Sequence, residues 1–364
     1  MSKNNQLFRF LLKLYRGIVY AFFGRQQKQV MPVGVVCNII TSNSSFDKYK
    51  SDIVHPCVRY TEKAFRGYHW WLIYTPYFNS NASLENPILC NSKADNEEAP
   101  TSWQIETLIR DTPIKGYNSD PTMFFNENGL NIFWRENETE RNFNNNVSRA
   151  IYGLILSENS QFDFEKPILA ATDKYFDKEV SPTIIKRNGK YTAYTADVRL
   201  KNPKIHFRNA FLNKFFSFMA KQLSVLDLYN EQKSYGIAIY ESVGNNLEFQ
   251  YKKTVRIQNC NKLHRPWHFD FFEYENKLYA IIQTNQFNAD ICLAASDDYE
   301  TFMMFKKPLI TQTSIKKLSL YKATGIVHNG IFHLYYTAQD KENRSLNKLY
   351  YSKYNFEQLL YEIK

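Results

Sequence analysis

Apolar positions along this chain fall in short runs, each shorter than a globular helix and each closed by a turn, which is the pattern of β-strands. The runs come in pairs, and the pairs repeat. A polar start, often with a proline, leads to an apolar strand, a turn and a second strand rich in Tyr, Leu or Ile. His55-Pro56-Cys57-Val58-Arg59-Tyr60 leads to YHWWLIYTPY, and Ser119-Asp120-Pro121 leads to NENGLNIFWRE. Ser181-Pro182 leads to RNGKYTAYTAD, Arg265-Pro266-Trp267-His268-Phe269-Asp270 to YENKLYAIIQT, and Leu320-Tyr321-Lys322 to HNGIFHLYYTA. The turns Asn188-Gly189, Asn276-Lys277 and Asn329-Gly330 are hairpin chemistry. Strand-only repeats of roughly 40–50 residues with hairpin turns predict an all-β fold, a five-bladed β-propeller. A pair of β-sandwiches is the alternative, and it does not require equivalent starts in each repeat.

Two segments depart from the strand pattern. In residues 6–24, Leu7, Leu11, Leu14 and Ile18 share a helical face, with Arg9, Lys13 and Arg16 interrupting the apolar run. Those charges exclude a transmembrane span, and no small-residue cleavage site follows. The segment reads as an amphipathic helix at an anionic membrane surface. Residues 200–233 place Phe211, Phe215, Phe218 and Leu223 near helical spacing among basic residues, a helical insertion in the third blade. The expected organisation is an N-terminal helix over 1–32 and a propeller over 33–364. Residues 33–53 form a link with one strand, VGVVCNII.

Composition narrows the partners. The net charge of +10 attracts anions such as sugar phosphates or acidic lipid. No nucleic-acid motif accompanies it, so nucleic acid is not an expected partner. The five cysteines are odd in number and lack CxxC spacing, which points to a reduced chain and no zinc knuckle. No metal ligands are assigned. GxSxG, HExxH, P-loop and GxGxxG motifs are absent.

In a propeller the repeat starts converge on one axis. They supply His55, Cys57 and Arg59, then Asp120, then Glu179 and Ser181, then Arg265, His268 and Asp270, and finally Tyr321 and Lys322. Strand alternation puts Cys57 and Arg59 on the face of His55, and His268 on the face of Asp270. Glu85, in a Glu-Asn-Pro turn, belongs on the rim of the first blade. The catalytic candidates are Asp120, Asp270, His268 and Glu179. The substrate-binding candidates are His55, Arg59, Glu85, Arg265, Tyr321 and Lys322. Each also has a structural reading: Asp120 and Ser181 as turn caps, His268 as a core histidine, and Arg265 and Lys322 as partners of Asp270 or Asp120.

The HPxV, ENP, SDP, SPxI…GKY, PWHxD and LY(K/R)(A/S)T elements resemble the propellers of glycoside hydrolase family 43, over about residues 50–355. That resemblance implies three carboxylates from the first three blades, acting as base, pKa modulator and acid. Asp120 matches the second. Cys57 stands where HPDV relatives carry an aspartate, and Glu179 lies three residues before Pro182 rather than two. A second resemblance is to propeller glycosyltransferases of bacterial surface-glycan assembly, akin to glycan phosphoribosyltransferases. It implies a cytoplasmic enzyme peripheral on the inner face of the membrane. Such an enzyme would take a sugar-phosphate or nucleotide-sugar donor, such as phosphoribosyl pyrophosphate, and a glycan acceptor, lipid-linked or free. Arg59, Arg265 and Lys322 would hold phosphate, with Lys186, Arg187 and Arg135 in support, and a divalent ion such as Mg2+ would accompany a pyrophosphate donor. The expected function is that transferase, with a furanoside-type glycosidase or a non-catalytic glycan-binding propeller as alternatives.

Overall fold

The computed structural model describes residues 28–78, 81, 84–92, 99–113, 116–127, 129–138, 148–156, 168–171, 179–187, 189–197, 236–243, 249–260, 266–284, 290–312, 318–340 and 346–364. The segments 6–24 and 200–233, expected to be helical, lie outside them.

The described chain is a β-propeller. Two short strands come first, β1 (Val35–Val36) and β2 (Asn38–Ile40). The first meander is β3 (Ile53–Phe65), β4 (Tyr68–Pro76), β5 (Ile88–Ser92) and β6 (Ser102–Leu108). The second is β7 (Tyr117–Asn126), β8 (Gly129–Glu138), β9 (Ser148–Leu156) and β10 (Ile168–Ala171). The third is β11 (Glu179–Arg187), β12 (Lys190–Asp197), β13 (Gly236–Ser242) and β14 (Phe249–Gln258). The fourth is β15 (Pro266–Tyr274), β16 (Lys277–Thr284), β17 (Ile291–Ser296) and β18 (Phe302–Met304). The last is β19 (Leu318–His328), β20 (Ile331–Asp340) and β21 (Lys348–Asn355), followed by the helix α1 (Phe356–Ile363).

Within each meander the strands pair antiparallel, and a parallel contact of β14 with β18 joins the third meander to the fourth. The first strands pack in a cycle, β3 on β7, β7 on β11, β11 on β15, β15 on β19 and β19 on β3. Five apolar clusters fill the gaps between neighbouring meanders. Trp70, Leu72 and Tyr335 pack between the first and last meanders, and Phe269, Phe271 and Ile237 between the third and fourth. This explains the near-solid apolar runs in the sequence. A blade is covered on both faces, so its middle strands bury residues of both parities.

The link 33–53 differs from expectation. It makes two strands on two sheets: β1 adds to the outer edge of β21, and β2 pairs in parallel with β6. Residues 35–40 thereby stitch the last meander to the first. Residues 30 and 31 pair with the backbone of Pro308 and Leu309, and Met31 is buried, so the body of the fold begins before residue 33.

Each first strand carries a register shift near its start: Val54/Cys57, Ser119/Thr122, Val180/Thr183, Pro266/His268 and Leu320/Ala323. These bulges re-aim side chains at equivalent points around the axis. In three of them the residue before proline has a left-handed backbone: His55 (φ 52°), Asp120 (φ 49°) and Ser181 (φ 57°). Sterics push a residue before proline towards extended conformations, so each is strained.

Packing leaves little slack beneath this ring. A Cβ at Gly325, midway along β19, would lie 2.8 Å from Ile281 Cδ1, 2.9 Å from Phe332 Cε2 and 3.0 Å from the His333 carbonyl oxygen. Gly325→Ala is therefore expected to cost about 1–3 kcal/mol through overpacking, read as a lower denaturation midpoint. An unchanged midpoint would show that this layer yields freely.

Candidate active site

The bulges bring His55, Asp120, Ser181 and His268 together. The Asp120 carboxylate is fully buried and lies 3.5 Å through Oδ1 from His55 Nε2 and 3.6 Å from His268 Nδ1. On its other side Oδ2 takes an ion pair from Arg135 at 2.8 Å, and the Arg135 guanidinium also donates to Ser119 Oγ. Ser181 Oγ donates to Asp120 Oδ1 at 3.3 Å and sits 2.7 Å from His268 Nδ1. With the serine proton on Asp120, Nδ1–H of His268 donates to Ser181 Oγ, and the lone pair falls on Nε2. That Nε2 is buried and has no hydrogen-bond partner among the described residues. His55 is held at both ring nitrogens, with Nδ1 2.9 Å from Thr75 Oγ1 and Nε2 3.2 Å from the Tyr321 hydroxyl.

Electrostatics set the protonation states. Burial lowers His55 to about 4, against the opposing pull of Asp120. Burial likewise holds His268 well below its ordinary value. Burial acts to raise Asp120, but His55, Arg135, His268 and Lys322 outweigh it and keep the carboxyl far below the usual range. Near neutral pH the cluster is two neutral imidazoles and one carboxylate.

Glu85 is corrected from rim to interior. It is buried, with Oε2 3.4 Å from His55 Nδ1. Burial first, and Asp120 second, push its carboxyl well above the ordinary value. A cavity of about 260 Å3 opens beside it, lined by His55, Tyr77, Glu85, Tyr321, Gln339 and Asn347 among others. That volume falls just below the range of about 300–1,000 Å3 usual for ligand pockets.

Asp270 forms a second buried hub. Arg59 grips it with two hydrogen bonds, 2.7 Å to Oδ1 and 3.0 Å to Oδ2. Thr324 donates to it at 2.5 Å and Thr183 at 3.3 Å, and the Val58 amide donates to Thr324 Oγ1. Burial would raise this carboxyl, but Arg59 prevails and lowers it. Asp270 thus ties four first strands and has its acceptors occupied by the protein. Arg59, expected to hold phosphate, is committed to this pair. In the alternative structural reading Lys322 and Arg265 pair with Asp270 or Asp120; among the described residues the ion-pair partners of these carboxylates are Arg59 and Arg135.

Other expectations are re-placed. The bulge between Val54 and Cys57 breaks the simple alternation, so the axial position of β3 belongs to His55. Cys57 turns into the core between the first two meanders, its Sγ 3.7 Å from Thr122 Oγ1 and its thiol raised by burial. Lys186 pairs with exposed Glu127, and Arg187 stacks 3.7 Å over the Tyr299 ring, so neither joins this cluster. Tyr321 and Lys322 lie on the β19 bulge beside the cluster. Glu179 starts β11, opposite Asp197, and is placed by its backbone alone, while Arg265 lies outside the described residues.

No metal ligands are expected from the sequence. Yet His55, Asp120 and His268 each offer a ligand atom, all within 4.8 Å of one another. Bonds of about 2.0–2.2 Å to one tetrahedral ion place neighbouring ligands ~3.3–3.5 Å apart, close to the His55–Asp120 separation. The signal in the sequence is histidine at two repeat starts.

No protein-family model and no curated protein matches the chain. Solved structures do match in fold. An N-acetylgalactosamine deacetylase from F. plautii, solved with blood group B trisaccharide, aligns with a TM-score of 0.64 at 14% identity, over 92% of this chain and 97% of that one. A levansucrase from B. megaterium gives 0.60 at 11%, over 93% and 91%. A GH43_1 enzyme from Xanthomonas citri, complexed with xylose, gives 0.56 at 8%, over 88% and 90%. At such identities the likeness establishes a shared fold, that of the family 43 glycoside hydrolases and related propellers. It also overturns the expected kinship with glycan phosphoribosyltransferases. The neighbours carry glycoside hydrolase, deacetylase and levansucrase names, and the phosphoribosyltransferase-like reading is withdrawn. No described helix is long and apolar enough to cross a membrane.

Proposed function

We propose that this protein is a carbohydrate-directed hydrolase, with His55, Asp120 and His268 as its centre. The observation that carries the reading is the donor set itself. Two neutral imidazoles and an ionised carboxylate converge in one buried site, and the free lone pair of His268 Nε2 is directed at no described group. Such N,N,O sets suit a divalent ion with an open position for water. An ion bound there would lower the pKa of that water and supply the nucleophile. Ser181 and Thr75 hold the two rings in the required tautomer. Glu85, protonated and beside His55, is the proton source for the leaving group, and it regains the proton that water releases.

The bond cut is an ester or amide on a sugar. Glycosidic cleavage of the family 43 type asks for a carboxylate near the start of the first strand, where by that resemblance Cys57 stands, and Cys57 is turned into the core. The deacetylase among the structural neighbours supports the acyl reading by analogy only. A second reading is glycosidic hydrolysis, favoured by a protonated Glu85 near an ionised Asp120, the acid-and-anion division that glycosidases use.

A hydrolysis panel tests this. Acetylated amino sugars and chromogenic glycosides are offered to the protein with a chelator and after restoring Zn2+ or Mn2+. Deacetylation that vanishes with chelator and returns with metal is the expected result. Glycoside cleavage indifferent to chelator would favour the second reading, and turnover of neither class would reject both.

A further inference from the structure

Among the described residues three cations stand at or beside the ring of first strands, and two have carboxylate partners: Arg59 with Asp270, and Arg135 with Asp120. The third, Lys322, stands on the β19 bulge with only 2% of its surface exposed. Among the described residues none gives its ammonium a hydrogen bond or an ion pair. Its neighbour Tyr321 lies 3.2 Å from His55 Nε2 and packs edge-on against the His268 ring, so Lys322 stands beside the cluster, close enough for its charge to act on Asp120 and Asp270. An ammonium in so enclosed a place gains from an anion, and among the described residues the protein supplies it with none. Lys322 is thus, among the described residues, the cation of these three without a carboxylate at ion-pair distance.

We propose that Lys322 receives an anionic group of the substrate, which makes the substrate an acidic carbohydrate bearing a carboxylate, sulfate or phosphate near the bond that is cut. This deepens the hydrolase reading and rests on it. The overall charge of +10 favours the same ligands through its long-range field. A lysine suits the task because a compact ammonium accepts any of these groups without demanding a planar partner.

The test is calorimetric titration of the whole protein with three ligands of matched size: a neutral oligosaccharide, its uronate counterpart and its phosphorylated counterpart. Wild type is expected to bind at least one acidic ligand about tenfold to a hundredfold more tightly than the neutral one, as a charge-assisted hydrogen bond allows. Comparing the two acidic arms identifies the group. Lys322→Met should lose that preference while melting at a higher temperature than wild type when free, and Lys322→Arg should keep part of it. Equal binding of neutral and acidic ligands by wild type would overturn the proposal and leave the hydrolase reading standing. Retention of the preference by Lys322→Met would overturn it equally. Binding of no saccharide at all would overturn the hydrolase reading and this inference with it. The wild-type comparison of neutral and acidic ligands decides the matter even if a variant fails to fold.

Discussion

Asp120→Asn is expected to lower kcat/KM on the order of a thousandfold, the scale on which a preorganised charge at a reacting centre acts. The substitution keeps the shape and removes the charge that His55, His268 and Arg135 all face. It also leaves the buried Arg135 guanidinium without its counter-ion, which should cost about 3–5 kcal/mol of stability. Lost folding could therefore mimic lost chemistry. Asp120→Asn combined with Arg135→Met separates the two. Without the stranded cation the double variant should recover much of its stability and none of its activity. Equal recovery of both would mean that Asp120 only holds the axis together.

The second large effect belongs to Arg59→Met. This change strands Asp270, fully buried among Thr324, Thr183 and the other first strands. The expected loss at pH 7 is again about 3–5 kcal/mol. Because Asp270 touches no atom of the proposed centre, activity measured well below the melting transition should survive within roughly tenfold. The pH dependence has a fixed sign. The folded state depresses the Asp270 carboxyl, so the pair stabilises the native protein above the ordinary carboxylate value near 4, and that contribution fades as pH falls through the lower folded value. The gap between wild type and Arg59→Met should thus be widest near neutral pH and narrow in acid. Chemical denaturation at pH 7 and at pH 3 checks this. A gap that stays constant or widens in acid would contradict the assigned pairing.

Much of the fold was legible because one local device repeats. His55-Pro56, Asp120-Pro121 and Ser181-Pro182 are the same strained bulge in three strands, and the polar starts at His268 and Lys322 mark the others. That repetition alone places most of the cluster on a common axis. Side-chain direction was not legible, because a bulge shifts strand parity, and only parity grouped Cys57 with His55. The pairings were hidden for another reason. Arg59 and Asp270 are 211 positions apart, and Arg135 reaches Asp120 from a second strand with no local pattern to announce it. The transferase expectation leaned on bulk charge, on the basic segment 6–24 and on cations among the repeat starts, and such features speak to partners rather than to reaction type.

Whether the three converging residues hold the reactive ion is tested most directly by anomalous diffraction from crystals soaked in Mn2+. The predicted result is a peak within about 2.0–2.5 Å of a ring nitrogen of His55, an Asp120 oxygen and a ring nitrogen of His268 together. A peak elsewhere, or none at a concentration that sustains hydrolysis, would contradict that assignment.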